Sequence, residues 1–216
     1  MEPEYLKRGN KPPFKDVNAD NPIQPLCRIH KRRKNKPAQL EPSGTLLTYG
    51  FTTDASPTFQ RLGIVGTNCV NGSLTSFLQA SPGYATDPVF TAKPASGATS
   101  EALAVTNSSY FSFSIAPAYG KRIRLDTLTF NAARINANTP TGYGVRSSLD
   151  NYATDIATAN LGTARTTFTA VSLDLSGALY QMITTPITFR IYIYGPAVTD
   201  GVDVDDINIK GFVMAA

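Results

Sequence analysis

The 216-residue chain has no tryptophan, one histidine and two cysteines. Each shortage excludes a chemistry. Ser-His-Asp and Cys-His catalysis need an imidazole base that a third group holds inside a packed site. The one histidine, His30, instead lies beside Lys31 and Arg32 in a basic run. Zinc needs a cluster of Cys and His ligands, and Cys27 and Cys69 stand alone and far apart. Both are read as free thiols, because a bridge between them would tie an N-terminal segment to the body of the protein. The chain contains neither GxxxxGK[ST] nor GxGxxG, the loops that cradle phosphates and dinucleotides. No apolar run approaches the ~20 residues that span a bilayer. The start MEPEYLKRG has no apolar segment of the kind a secretory leader needs. The expectation is a non-enzymatic protein with no cofactor, no membrane partner and no export signal of its own.

Charge is also scarce, at 17% of residues, and it is unevenly placed. Residues 1–40 hold ten Lys/Arg against four acids, a net +6, and the other 176 residues hold ten against twelve, a net −2. The basic balance therefore belongs to the front of the chain. CRIHKRRKNKP (27–37) concentrates it in Arg28, Lys31, Arg32, Arg33, Lys34 and Lys36. Seven prolines within residues 1–44 leave little room for a helix or a paired strand. Isolated apolar residues, among them Phe14 and Ile23, recur there without a helical or strand period. Two readings stand for this segment. One is a disordered tail. The other, favoured, is an extended arm that orders by lying on another subunit, with anchors in pockets and cations on acids. Nucleic acid is a weaker partner, because no aromatic residues interleave the cations. A membrane is weaker still, since the prolines disfavour an amphipathic helix. An acidic protein surface accounts for cations, prolines and anchors together.

From Thr45 the pattern has a period of two. TLLTYGFT (45–52), SYFSFSIAP (109–117), KRIRLDTLTFNAARI (121–135), FTAVSLDL (168–175), ITFRIYIYG (187–195) and VDVDDINIKGFVM (202–214) read as strands. In the third, the apolar phase shifts across Asp126–Thr127, which predicts a β-bulge or bend. GTNCVNGS, ASPGYATDP, AKPASGATS and NANTPTGYG read as turn-rich connections, and 149–162 has room for a helical turn or two. No stretch of 12 residues has a helical period. The predicted fold is all-β: residues 45–216 as an antiparallel β-sandwich of jelly-roll type, preceded by residues 1–44 as an extended, proline-rich basic arm.

Two local patterns are candidate binding sites. Arg190, Tyr192 and Tyr194 fall on the face of their strand opposite Ile187, Phe189, Ile191 and Ile193. Such a polar-aromatic face suits a sugar; a second packed face or a subunit interface is the favoured alternative. TDGVDVDD (199–206) is the one acidic cluster. Asp200, Asp203 and Asp205 are a weak calcium candidate, since calcium takes several oxygens from a turn. A solvated strand start that also blocks edge pairing is the favoured reading.

Three stretches carry a family resemblance. YFSFSIAPAYGKRIRLDTLTFNAAR, YGVRSSLDNYATDIAT and ITFRIYIYG followed by VDVDDINIKG resemble, in order and spacing, the jelly-roll domains of bacterial surface proteins with a PEP-type sorting tail. The resemblance spans roughly residues 45–213 and implies a displayed sandwich that binds sugars or proteins. Neither that family's signal peptide nor its tail is expected here, and the basic arm stands at the front of the sequence. In architecture, a jelly roll with an arm resembles the decoration (cement) proteins of tailed-bacteriophage capsids. That resemblance implies a structural protein on the virion surface, homo-oligomeric, whose arm docks on the major capsid protein. The alternative is a carbohydrate-binding module of a cell-surface or phage tail protein, with a glycan as partner.

Overall fold

The structure is a computed structural model that describes residues 43–81, 84–162 and 167–216. The predicted arm residues Phe14, Ile23, Arg28, Lys31, Arg32, Arg33, Lys34 and Lys36, with Cys27 and His30, lie outside the described residues.

Among the described residues, thirteen strands and one short α-helix follow in chain order: β1 (Gly44–Tyr49), β2 (Phe59–Gln60), β3 (Ile64–Gly66), β4 (Val70–Asn71), β5 (Thr75–Ser81), β6 (Tyr84–Lys93), α1 (Glu101–Thr106), β7 (Tyr110–Pro117), β8 (Lys121–Arg134), β9 (Gly142–Ser147), β10 (Ala157–Asn160), β11 (Thr169–Asp174), β12 (Ile187–Tyr194) and β13 (Val202–Ala215). They form two antiparallel sheets packed face to face. The first runs β11-β8-β13-β1-β2, with β6 on β13 and β5 on β6; the second runs β10-β9-β12-β7-β3, with β4 on β7. This is the all-β sandwich the alternation predicts.

The core lies between the sheets. Ile187, Phe189, Ile191 and Ile193 of β12 and Phe111, Phe113 and Ile115 of β7 are buried from one side, and Leu128 and Phe130 of β8 with Val204, Ile207 and Ile209 of β13 from the other. Rings meet across the layer: Tyr49 and Phe113 have centroids 5.2 Å apart, and Phe130 and Tyr143 5.2 Å apart. A fully buried side chain of this size contributes about 1.5–3 kcal/mol, so the alternating positions dominate the stability of the sandwich.

Two bulges set the phase of the central strands. In β8 the extra residue is Asp126, because Thr127 faces Lys210 while Leu125 faces Gly211. A Cβ on Gly211 would lie 2.0 Å from the Arg124 carbonyl oxygen, so this close approach requires glycine. In β13 the second bulge falls between Asp205 and Asn208, with Asp206 in the left-handed region at φ 51°. It returns Ile207 and Ile209 to the core after Val202 and Val204.

The structure corrects three sequence expectations. The turn-rich stretch 66–73 contains β4, the stretch 80–88 runs through parts of β5 and β6, and β9 begins inside 136–144. Proline and glycine obscured them. Pro88, for instance, is tolerated in β6 because it lies outside Phe90–Ala92, the segment that pairs with β13. Within 149–162, one 3-10 turn (Ser148–Asp150) gives way to strand β10. Finally, the short helix α1 has no counterpart in the periodicity. Ser100 caps it, its Oγ accepting from the Leu103 N–H at 3.4 Å, and Glu101 lies in its first turn.

Candidate functional site

The outer face of the β12 sheet holds the predicted trio, but the three residues have different fates. Tyr192 and Tyr194 are buried with Ala98 and Ala104 in a small apolar cluster beneath α1. The Tyr194 hydroxyl is 3.0 Å from the Ala159 carbonyl oxygen, which satisfies its polar tip. These two rings are therefore packed rather than displayed. Arg190 stays partly exposed. Its guanidinium lies 4.2 Å from the centroid of the Tyr110 ring and 3.7 Å from that of Tyr152.

Arg146 lies directly opposite Arg190 across the strand pair. Two cations at that spacing repel, and the structure answers with acids on one of them only. Arg146 donates to Asp155 Oδ1 at 2.6 Å and to Glu101 Oε1 at 2.9 Å. It also donates to the Tyr152 carbonyl oxygen at 3.1 Å. Tyr152 and its neighbour Asn151 both adopt φ 59°, a strained choice for tyrosine. Arg146 thus fixes the turn that carries Tyr152 over Arg190. Two carboxylates share one guanidinium, and Asp155 takes its shorter bond. Burial, and then the Asp155 charge, push the Glu101 carboxyl above its ordinary value despite Arg146.

The outer face of the β13 sheet is different. Strand register aligns Ser172 with Thr129, Thr129 with Asn208, Asn208 with Thr48 and Thr48 with Phe59. The side chains of such cross-strand partners share a face. Four strand spacings of ~4.8 Å make this row roughly 19 Å long. Beside it lie Asn131 and Asp206, whose side chains are joined at 3.1 Å. All of these but Phe59 line a groove of about 380 Å³, and none of the described residues lining it is a cation. Asn208 Oδ1 is a buried acceptor without a hydrogen-bond partner. Phe59, at the end of the row, is 47% exposed.

The acidic cluster disperses. Asp200 is buried and saturated: Oδ1 accepts from Asn136 at 3.1 Å and Asn138 at 2.9 Å, and Oδ2 from the Ala197 N–H at 2.9 Å. Asp203 accepts from Thr91 Oγ1 at 2.5 Å, and Asp205 from the Asp206 N–H at 2.8 Å. Among the described residues, no three His, Cys, Asp or Glu side chains come together as a metal site would require. No helix among them is long and apolar enough to cross a membrane.

Sequence reasoning found Arg190 but missed Tyr110, Tyr152 and the whole row on the opposite sheet. Strand register creates the row and brings Tyr110 to Arg190, a left-handed turn brings Tyr152, and period-two alternation reveals neither.

No family model and no curated protein matches the chain. Solved structures do. A cleaved adhesin domain of Lys-gingipain from Porphyromonas gingivalis is 14% identical with TM-score 0.46, covering 78% of this chain and 99% of its own. A xylan-binding domain from Paenibacillus barcinonensis is 12% identical with TM-score 0.45, covering 82% of this chain and 100% of its own. A module solved with β-1,4-galactotriose is 11% identical with TM-score 0.33, covering 83% and 92%. At these values the similarities are distant and do not define a ligand for this chain.

Proposed function

We propose that the chain is a non-catalytic carbohydrate-binding β-sandwich whose glycan lies along the row Ser172, Thr129, Asn208 and Thr48. The row itself carries the reading. It presents three hydroxyls and an amide at strand spacing, with a second amide and a carboxylate alongside, and ends in an exposed ring. Neutral sugars offer that complement: hydroxyls that donate and accept, and an apolar ring face that packs on an aromatic. The Asn208 side chain lines the groove and would offer its amide to a sugar hydroxyl. The test is a glycan array with the full chain, followed by titration of the best neutral oligosaccharide. Asn208→Ala and Thr129→Val are each expected to weaken binding roughly two- to tenfold, the loss of one ordinary hydrogen bond. Wild-type affinity in both variants, or an array without any selective glycan, overturns the reading.

The arm carries a second reading, since its net +6 over residues 1–40 contrasts with the rest of the chain. On this reading the protein is a capsid decoration protein, and the arm docks it on an acidic assembly. Cations such as Lys31 to Lys34 would speed encounter, while anchors such as Phe14 and Ile23 would hold the complex. Deleting residues 1–40 should then abolish binding to purified virions. Phe14→Ala with Ile23→Ala should raise the off-rate with little salt dependence. Full-strength binding without the arm overturns this reading.

A further inference from the structure

We infer that Arg190, clasped between Tyr110 and Tyr152 on the face opposite the groove, is a second subsite that takes the carboxylate of an acidic sugar. This rests on the carbohydrate-binding reading but uses different residues, so the two can fail separately.

The first observation is the uneven treatment of two facing arginines. Arg146 has two carboxylates, whereas Arg190 has none among the described residues. The only hydrogen bond Arg190 makes there is a long one, 3.4 Å from Nη1 to the Tyr192 hydroxyl. The second observation is how the guanidinium is held. Its central carbon lies 4.2 Å and 3.7 Å from the centroids of two tyrosine rings. A guanidinium donates in its plane, not through its faces. The two rings confine the group, and beyond the long bond to Tyr192 its in-plane N–H donors meet no acceptor among the described residues. A planar, bidentate carboxylate fits that fork. The third observation is the surround. Ser112 is the direct cross-strand neighbour of Arg190, and Ser114 and Thr188 form the next pair on that face, their hydroxyls 2.7 Å apart. Ser112 donates to the Val70 carbonyl at 3.3 Å, so its oxygen, like those of Ser114 and Thr188, keeps acceptor capacity for sugar hydroxyls flanking an acid group. The fourth is the strain at Tyr152, a tyrosine at φ 59° fixed by Arg146. The turn that holds Arg146 through the Tyr152 carbonyl and Asp155 thus also carries the Tyr152 ring, in a strained conformation, onto Arg190.

The test uses the full chain and two matched ligands, trigalacturonate and neutral galactotriose. NMR follows the Arg190 Nε–Hε signal, and calorimetry gives affinity. Trigalacturonate is expected to shift the Arg190 signal and to bind more weakly as salt rises. Arg190→Gln should weaken it roughly ten- to a hundredfold, in line with a charge-assisted hydrogen bond. Arg190→Lys, which keeps the charge but not the fork, should recover only part of the loss. Neither variant should alter binding of a neutral glycan in the groove. Should Arg190→Gln unfold, Tyr152→Ala provides the same test from a surface turn, because it removes one side of the clasp. An unshifted Arg190 signal with trigalacturonate overturns the inference, even if neutral glycans bind the groove. So does a response to inorganic sulfate or an acidic peptide without one to the uronate. Loss of neutral binding in the groove variants with no change at Arg190 leaves this subsite standing on its own.

Discussion

The two outer faces of the sandwich have the same strand geometry but different chemistry. On the β13 sheet, register lines up Ser172, Thr129, Asn208 and Thr48 into a neutral row open to solvent. On the β12 sheet, the equivalent row begins with two arginines, Arg146 and Arg190, followed by Ser112. Among the described residues, no connection folds back over the first row. The second spends most of its groups on itself: α1 covers Tyr192 and Tyr194, and Glu101 and Asp155 hold Arg146. The difference shows that exposure on a sheet is decided by what the connections bring back over it. The β6–β7 connection contains α1 and closes one face, whereas no described connection crosses the groove on the other sheet.

The largest effect that would break this contrast is removal of Arg146. It joins α1, Asp155 and the Tyr152 carbonyl. Arg146→Ala would leave two carboxylates facing each other and free the turn over Arg190. Its side chain is 14% exposed, so the loss should exceed that of a surface pair, about 1–3 kcal/mol. Thr129→Val on the other sheet should change stability by no more than about 0.5 kcal/mol. Urea unfolding of both variants checks this; equal losses would mean that the two faces are built alike.

The sequence carried the sandwich more fully than it carried the sites. Apolar alternation in β7, β8, β12 and β13 marks the core, and the slipped phase at Asp126 marks a bulge the structure contains. Arg190 could be picked out as polar on an apolar strand. Its partners could not, because Tyr110 and Tyr152 lie 80 and 38 residues away and meet it only through register and a left-handed turn. Tyr192 and Tyr194 read as an outward face because period two gives direction, not cover. Their cover is a six-residue helix too short to show a helical period. The groove was illegible for the same reason: a lone Ser, Thr or Asn on each of four strands has no pattern along the chain.

A smaller effect tests whether α1 is what closes the second face. Ser100→Ala removes the side-chain cap, whose 3.4 Å length puts it at the weak end of the range. The expected cost is about 0.5–1 kcal/mol. Loosening α1 should also speed amide hydrogen exchange at Tyr192 and Tyr194 while leaving Thr129 and Asn208 unchanged. Unchanged protection at the two tyrosines would assign their burial to the sheet itself.

The smallest expected effect is a pH dependence confined to the arginine face. Burial and the Asp155 charge raise the Glu101 carboxyl above its usual value. The folded state thus holds the Glu101 proton more tightly than the unfolded chain does. The stability this contributes is fully present below about pH 4.5, the ordinary value, and is lost as pH rises through the raised one. Glutamine mimics the protonated form and cannot titrate. Measured against Glu101→Gln, the wild type should therefore lose ground as pH climbs out of the acid range. Asp54 and Asp174 act in the opposite direction: hydrogen bonds from Ser56 and Ser176 lower their carboxyls, so their contribution disappears as pH falls. Because they are common to both proteins, the difference between wild type and variant isolates Glu101. A difference that is flat with pH, or that favours the wild type more at higher pH, would mean that Arg146 compensates Glu101 fully.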